Sequence, residues 1–397
     1  MRKRWRLEWA MLAACAAVPA MAELPTKRPA AWHLPTFKSA DGKVTAQLGG
    51  RLHLDLVKFD DDGRGRPNAS GWQVRRGWVN LIGKLYGFDY RVSVDYADHM
   101  RSYKSVYLRH RLGPGVLTVG QFKPYFSLDD TISSDDIVMM DRAFVATQLA
   151  PLFRLGAAYL GNAGDVTYGL ALYSLNDLDK VRPNGEGQAL RLTWAPLHEE
   201  GRVLHLGLSL AHERYARSSN AALPPGMAVR PAGAKSDRSR LRLFRIQDGE
   251  AVAADKHAFE LGTVTGSWSF QGEYGGARYD DDIQRALVRS WYGQVSYFLT
   301  GQARPYSRGT GRFDSVEAPG AWELAVRYDH IDARQRRIGQ PDLSDRGVDA
   351  WTLGLNWYAN PNLRLMFDYI DSRNRDRLLA RTLDHTRALI GRLQFVF

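Results

Sequence analysis

Polar and apolar residues alternate through one segment after another of this chain. In residues 88–96, every second residue from Asp89 to Asp95 is polar, and all the others are aromatic or β-branched. A period of two gives a β-strand one apolar face and one charged face. The runs 322–329 and 351–358 repeat the pattern and carry aromatic residues near both ends. Such segments are typical of the strands of a transmembrane β-barrel, whose aromatic residues form girdles at the two membrane interfaces.

About sixteen segments of this kind are present, an even number, as single-chain barrels of the bacterial outer membrane require. We therefore predict an all-β fold, a transmembrane antiparallel β-barrel of about 16 strands. The predicted strands are 44–59, 72–86, 88–97, 104–112, 116–122, 153–161, 165–174, 187–195, 202–214, 257–264, 266–279, 287–299, 320–331, 349–359, 361–371 and 386–397.

The connections between these segments support the count, because short and long ones take turns along the chain. Tight turns occur at Gly87 and at 113–115, for example. Long polar loops are predicted at 60–71, 123–152, 215–256 and 332–348. Short turns should face the periplasm and long loops the cell exterior. The link 300–319 breaks the pattern, because it is long where a short turn is expected.

The N-terminus predicts export. A cationic start, an apolar run and small residues before a cut after Ala22 give residues 1–22 the form of a signal peptide. The alternative is lipoprotein processing at Cys15, the only cysteine in the chain. Cleavage after Ala22 would leave no cysteine for disulfides or thiolate metal sites. The predicted divisions are 1–22 as signal peptide, 23–43 as N-terminal extension and 44–397 as transmembrane β-barrel.

The C-terminal segment alternates down to a terminal aromatic residue. Its apolar face consists of Leu389, Gly391, Leu393, Phe395 and Phe397. This segment resembles the last strand of bacterial outer-membrane barrels, which the assembly machinery recognises. The alternative is an ordinary buried strand at the end of a soluble domain, which does not account for the signal peptide and the repeated alternation. The predicted location is the bacterial outer membrane.

The charge balance is basic. The formal net charge is +11, and residues 1–22, with four Arg or Lys against Glu8, contribute +3 of it and leave +8. Such a balance implies anionic partners. Nucleic acid suits an exported chain with scattered basic residues poorly, so small anions and lipopolysaccharide phosphates are expected instead. No stretch of 18 apolar residues follows the signal, which excludes a helical membrane span.

No motif predicts an enzyme. The sequence contains no G-x-S-x-G, H-E-x-x-H or P-loop motif. Histidines such as His99 and His212 could in principle serve a hydrolase at the outer rim. Acidic runs such as 60–62 and 280–282 could bind calcium, although such runs are more often solvated. We predict no enzymatic activity, no cofactor and no metal site.

Arginines recur on the polar faces of the predicted strands, at Arg51, Arg76, Arg91, Arg109, Arg191 and Arg327. Fixed cations in a narrow lumen replace the hydration that an anion loses there. The alternative for any one arginine is a place in a lattice of salt bridges that stiffens the barrel wall. Arg75 has the opposite parity to Arg76, so both reach the pore only if a bulge or rim position turns one inward. A basic run within 215–256 predicts either anion collection at the mouth or a solvated, lipopolysaccharide-binding loop.

Eight segments resemble the phosphate-selective porin O/P family, whose members are trimeric barrels that pass phosphate or polyphosphate. Together they extend over about 44–397, with the order and spacing of the family. They are LGGRL at 48–52, VRRGW at 74–78, VDY at 94–96, VGQF at 119–122, APLHE at 195–199, VLHLGL at 203–208, GAWEL at 320–324 and GLNWYAN at 354–360.

The resemblance implies a cationic constriction lined by hydroxyl groups. In the family, the loop after the fifth strand folds into the barrel and narrows it, and here that loop is 123–152. The family's first-strand arginine, paired second-strand arginines, lumen aspartate and constriction serines align with Arg51, Arg75, Arg76, Asp95, Ser133 and Ser134.

The departures from the family concern its three phosphate-binding lysines. They align with Asp130 in the constriction loop and with Ser307 and Glu317 in the long link. Replacing a lysine with a carboxylate reverses the local charge, which disfavours binding of a highly charged anion. Nearby cations that could restore positive potential are Lys123, Arg304, Arg308 and Arg312.

We therefore predict a porin for passive diffusion of anions, with phosphate or polyphosphate-like oxyanions as solutes. The alternatives are a general porin with weak selectivity and a non-conducting barrel, such as an adhesin or a rim-site hydrolase. The expected partners are inorganic phosphate or oligophosphate, outer-membrane lipid with lipopolysaccharide, and two further copies in a homotrimer. Residues predicted at the constriction or in anion binding are Arg51, Arg75, Arg76, Asp95, Lys123, Ser133, Ser134 and Arg308.

Overall fold

The computed structural model describes residues 32–60, 68–97, 101–179, 184–217, 225–247 and 251–397. These residues form one closed antiparallel barrel of sixteen strands, in which the last strand pairs with the first from Ala388 opposite Phe59 to Val396 opposite Arg51. In chain order, β1 to β16 are Val44–Phe59, Gly71–Leu85, Phe88–Asp95, Ser102–Leu112, Gly115–Phe122, Arg154–Ala163, Val166–Ser174, Gly185–Glu199, Arg202–Tyr215, Val252–Thr265, Trp268–Asp280, Gln284–Phe298, Ala321–Arg337, Asp342–Asn360, Leu363–Asp376 and Arg381–Val396.

The predicted fold class is confirmed, and each of the sixteen predicted segments corresponds to one strand. The largest differences are at the extracellular ends of β13 to β16. The predicted long loop 332–348 is wrong, because β13 continues to Arg337 and β14 begins at Asp342. Above the membrane both faces of a strand meet polar surroundings, so the apolar alternation ends while the hydrogen-bonded ladder continues, as at Gln335 opposite Ser344.

Short connections therefore occur at both ends of the barrel. On the extracellular side, 281–283, 338–341 and 377–380 are as short as periplasmic turns. A typical periplasmic turn joins β2 to β3 through Tyr86 and Gly87, with φ values of 47° and 88°. Two-residue turns with positive φ match the right-handed twist of paired strands.

The two faces of each strand differ as the alternation predicts. On β13, Trp322 and Leu324 are exposed on the outer wall, whereas Glu323 and Arg327 are buried inside the barrel. The apolar side chains thus point outward, toward lipid, and the core lies within the lumen. No helix among the described residues is long and apolar enough to cross a membrane.

Three segments fill much of the lumen. The inner loop, 123–153, contains the α-helix Leu128–Thr131 and the π-helix Val145–Leu149. The extracellular segment, 225–247, pairs Gly226–Val229 with Leu241–Arg245 and packs Val229 and Leu243 in one apolar cluster with Ile370. The periplasmic link, 299–320, carries the two-residue strands Tyr306–Ser307 and Arg312–Phe313. Infolded segments restrict the pore to the space that they leave free.

The predicted signal peptide, 1–22, lies outside the described residues, as do His99 and Cys15. Residues 32–43 lie against the periplasmic end of the barrel. There, Thr36–Lys38 pairs with β1. The ring of Trp32 packs 6.3 Å from the ring of Phe397.

Candidate functional site

The inner loop is fixed to the wall formed by β11–β16. The Glu273 carboxylate of β11 accepts hydrogen bonds from the backbone N–H groups of Leu128 and Asp129, at 3.0 and 2.9 Å. On β13, the Asp329 carboxylate accepts from the N–H of Phe144 at 2.9 Å. These carboxylates satisfy backbone donors that would otherwise be buried without partners.

Arginines of the same wall bind the carbonyl groups of the loop. Arg364 donates to the carbonyl of Ile137 at 2.9 Å, and Arg392 donates to that of Met140 at 2.7 Å. Arg327, which parity placed in the lumen, donates to the carbonyl of Asp141 at 2.9 Å. Their charges hold the loop against this wall, and on its other side the loop meets side chains of β1 and β2.

Arg51 projects from β1 to residues 133–135 of the inner loop. Its Nη1 donates to the Ser134 hydroxyl at 2.6 Å and to the Ser133 hydroxyl at 3.4 Å, and its Nη2 lies 3.0 Å from Asp135. The guanidinium stacks 4.4 Å from the ring centre of Trp78. The structure thus brings together one arginine and two hydroxyl groups that the resemblance assigned to the constriction.

A β-bulge lies at Arg75 and Arg76. His53 of β1 is opposite Arg76 and Leu54 is opposite Val74, so Arg75 is the extra residue on β2. A bulge of this kind turns two consecutive side chains toward one face of a sheet. It removes the parity conflict between the two arginines.

The two arginines of the bulge differ in their partners. Arg75 Nη2 lies 3.2 Å from an Asp141 oxygen. Arg76 Nη1 lies 3.5 Å from His53 Nδ1, and no carboxylate of the described residues lies within the 4.0 Å ion-pair limit. The other ring nitrogen of His53 lies 3.1 Å from Asp135. Among the described residues Arg76 therefore forms no ion pair, although its charge acts on Asp141 without direct contact.

Lys123 and Asp130 form an ion pair at the start of the inner loop. The Asp130 side chain is almost fully buried. Burial lowers the pKa of Lys123 to about 8, with Arg142 and Arg76 adding to the shift and Asp130 opposing it. The carboxylate that replaces the family's lysine is thus directed at a cation of the same loop.

The remaining predicted residues lie outside this cluster. Arg308 is half exposed at the periplasmic end, where its Nη1 is 3.1 Å from Asp165 in the β6–β7 turn. Asp95 accepts hydrogen bonds from two backbone N–H groups, those of Gly77 and Ala97, each at 3.1 Å. Ser307 and Glu317 belong to the periplasmic link, in which Glu317 is exposed. Arg308 was expected at the constriction as a cation near the positions that align with the family's lysines, but the link places it at the periplasmic mouth.

Arg142 is a cation that the sequence analysis missed. It donates to the carbonyl of Ile132 at 2.6 Å and to that of Asp129. Its charge acts on both Arg51 and Lys123. The inner loop has no periodicity to indicate which side chains turn toward the pore. The one available signal was that Arg142 is a basic residue within the predicted constriction loop.

The charges at the constriction do not cancel. Burial alone would raise the pKa of Asp141, but Arg75, Arg392 and Arg76 outweigh it and lower the pKa to about 2. The pKa of Asp135 is also lowered, because Arg51 and His53 outweigh its burial. Five cations, namely Arg51, Arg75, Arg76, Lys123 and Arg142, stand against four carboxylates, which are Asp130, Asp135, Asp141 and Asp136, whose charge acts on Arg51. A positive excess in a narrow lumen attracts anions and repels cations.

Comparison with known proteins agrees with this geometry. The family described as "Phosphate-selective porin O and P" matches residues 46–397. Porin O of Pseudomonas aeruginosa is 26% identical over 394 residues, which cover 90% of each chain. The solved anion-selective porin from Comamonas acidovorans shares the fold, with a TM-score of 0.59 and 12% identity over 89% of this chain and 100% of its own.

A second solved structure, the trimer form of OmpT, an outer membrane protein of Vibrio cholerae, shares the fold with a TM-score of 0.57. Its identity is 10% over 89% of this chain and 99% of its own. The match to the family covers nearly the whole barrel, including the constriction. The chain therefore belongs to the phosphate-selective porin O and P family, and it is an outer-membrane porin for anions rather than an enzyme.

Proposed function

We propose that this porin lets phosphate, or a related oxyanion such as oligophosphate, diffuse passively across the outer membrane. The observation that carries the proposal is the arrangement of Arg51 on the Ser133 and Ser134 hydroxyls beside Arg76, which has no carboxylate within 4.0 Å in the described part of the chain. Guanidinium and hydroxyl donors replace the water that an oxyanion loses in a narrow pore. Diffusion down a gradient involves no covalent step.

The Lys123–Asp130 ion pair indicates a weak site rather than a strong one. Where the family places a lysine, this chain places Asp130, which offsets the charge of Lys123. A site with less positive charge holds a multivalent anion less tightly and releases it sooner. We therefore expect phosphate to enter and leave readily, with only partial block of other anions.

The same carboxylates favour a second candidate, a general porin with weak selectivity. Asp130, Asp135 and Asp141 place three negative charges beside the cations of the constriction. If their field dominates, chloride and phosphate pass alike and phosphate blocks nothing. The two candidates differ in phosphate block and in the size of the anion preference.

Bilayer recordings test the proposal. Under a potassium chloride gradient, the reversal potential should show anion preference, and added phosphate should reduce chloride current in a saturable way. Arg76→Gln should weaken both effects. Arg308→Gln, at the periplasmic mouth, serves as the matched control and should leave the block unchanged. Chloride current that does not respond to phosphate would overturn the phosphate proposal and favour the general porin.

The proposal also includes assembly as a homotrimer and export with a cleaved signal peptide. A homotrimer is supported by the resemblance to a family of trimeric barrels and by the trimer form of the OmpT neighbour. Removal of residues 1–22 as a signal peptide is supported by their sequence. Lipid and lipopolysaccharide are the expected neighbours of the apolar outer wall.

A further inference from the structure

A charged cluster lies on the outer wall, above the extracellular aromatic girdle of β12–β14. The girdle residues are Trp291, Tyr328 and Trp351. The ring centre of Tyr328 lies 5.0 Å from that of Trp291 and 4.8 Å from that of Trp351. Asp332 and Asp349 lie on the same outward-facing set of residues, nearer the extracellular ends of β13 and β14. A cluster of charges on the lipid side of a barrel calls for a polar partner within the membrane interface.

The height of the cluster places it among lipid head groups. The stacked rings of Trp322 and Trp357 mark the periplasmic girdle. Asp332 is ten residues beyond Trp322 on β13, which corresponds to a rise of about 26 Å at ~3.4 Å per residue and a strand tilt of ~40°. The apolar band of such barrels is about 25 Å tall. The cluster therefore lies where the phosphates of the outer leaflet are found.

Asp332 holds three basic side chains together. Its oxygens lie 3.4 Å from Arg289 Nη2, 3.1 Å from Arg377 Nη1 and 3.0 Å from His330 Nε2. The side chain of Arg289 is 64% exposed. Each guanidinium has five N–H donors, so a single ion pair leaves several donors for a ligand.

Asp349 extends the cluster toward β15. It lies 2.7 Å from His330 Nδ1 and 3.3 Å from Arg375 Nε. Arg373 lies opposite it in the β14–β15 register and is exposed, with no carboxylate of the described residues within 4.0 Å. Asp345 also lies 4.0 Å from Arg377 Nη1. Four arginines thus surround three carboxylates, and the excess is positive without counting His330.

We propose that Arg289, Arg373, Arg375 and Arg377 bind the phosphates of lipid A, the phosphorylated disaccharide lipid of lipopolysaccharide. Arginine pairs bidentately with phosphate oxygens. Because the four arginines are spread over several strands, they suit a ligand with two phosphates better than a ligand with one. From β12 to β15 the cluster spans about 14 Å, since neighbouring strands are ~4.8 Å apart. That width matches phosphates at opposite ends of a disaccharide and exceeds the head group of a phospholipid. The proposal rests on the outer-membrane location and is independent of the solute.

Native mass spectrometry of the full chain in phosphatidylcholine nanodiscs tests the site, with diphosphoryl lipid A as the probe. The double variant Arg289→Gln/Arg375→Gln should bind lipid A at least about tenfold more weakly, because it loses two charge-assisted contacts. The matched control is Arg202→Gln, since Arg202 is equally exposed and paired with Glu199, but lies at the periplasmic β8–β9 turn. Dephosphorylated lipid A should bind weakly to every form.

Further measurements keep the test decisive. If the double variant fails to fold, Arg373→Gln breaks no ion pair and should still weaken binding. Phosphate block of chloride current should be unchanged in each variant, so failure of this site and failure of the proposed solute are distinguishable. Equal binding of lipid A by wild type and variants would overturn the proposal. So would phosphatidylglycerol binding as tightly as lipid A.

Discussion

On the wall formed by β11–β16, inward-facing charges bind backbone groups of the inner loop, whereas on β1–β5 they meet side chains at the edge of the pore. Arg364 and Glu273 belong to the first wall, and Arg51 and Arg76 to the second. All four face the lumen. Facing the lumen is therefore not enough to make a residue part of the conducting path, because its partner decides whether its charge is available to an ion.

The largest effect should follow from weakening the first wall. Glu273→Ala removes the acceptor of the Ser127 hydroxyl and of the N–H groups of Leu128 and Asp129. Buried donors left without an acceptor cost about 1–3 kcal/mol each, so the free energy of unfolding should fall by about 3 kcal/mol or more. Denaturant titration followed by tryptophan fluorescence measures the loss, and single-channel records should become noisy as the loop moves.

The control for this change is Glu199→Ala. Glu199 is exposed and forms a surface ion pair with Arg202, so its removal should alter stability by at most about 0.5 kcal/mol. If Glu273→Ala unfolds at the same denaturant concentration as the control, the inner loop is not held by this wall.

The next effect separates the two walls by selectivity. Arg51→Gln removes a cation from the edge of the pore and leaves Asp135 with less compensation, so the ratio of anion to cation permeability should fall several-fold. Arg364→Gln removes a cation that is buried and bound to carbonyl groups. It should lower stability while the reversal potential stays near that of wild type. A similar loss of selectivity in both variants would abolish the distinction between the walls.

A smaller effect, of opposite sign, is expected from Asp130→Asn. The substitution removes the carboxylate that offsets Lys123 but keeps the size of the side chain. The constriction gains one net positive charge, so phosphate should block chloride current at lower concentration than in wild type. Asp165→Asn, which frees Arg308 at the periplasmic mouth, is the matched control. Unchanged block in Asp130→Asn would mean that Asp130 does not weaken the anion site.

The strands within the membrane could be predicted from the sequence, but their extracellular ends could not. Alternation identified all sixteen strands, because lipid on one side and a polar lumen on the other enforce it residue by residue. It failed above the membrane, where β13 continues to Arg337 without that constraint. The parity conflict at Arg75 left a bulge or a rim position open, and the register of β1 and β2 shows the bulge.

The site was less accessible to sequence reasoning. Arg51, Ser133 and Ser134 were predicted through the resemblance, and the structure places the three side chains in contact. Arg142 was missed because a loop without periodicity does not reveal where its side chains point. Parity placed both Arg76 and Arg327 in the lumen, but it could not show that Arg327 donates to the carbonyl of Asp141 while Arg76 lies beside His53.

The smallest expected effect is a pH dependence of the second wall. Lys123 has a pKa of about 8, below its ordinary value of 10.5, so its positive charge is present below pH 8 and is lost as the pH rises through that value. Deprotonation leaves the Asp130 carboxylate without its nearest cation. Anion selectivity, measured as reversal potential, should therefore decrease between about pH 7 and pH 9.

The control replaces Lys123 with arginine, which keeps its positive charge throughout this pH range. Lys123→Arg should show a reversal potential that is constant from about pH 7 to pH 9. A decrease of the same size in both proteins would assign the titration to another group. No decrease in wild type would mean that Asp130 keeps Lys123 charged, and the second wall would then present the same field to anions across the whole range.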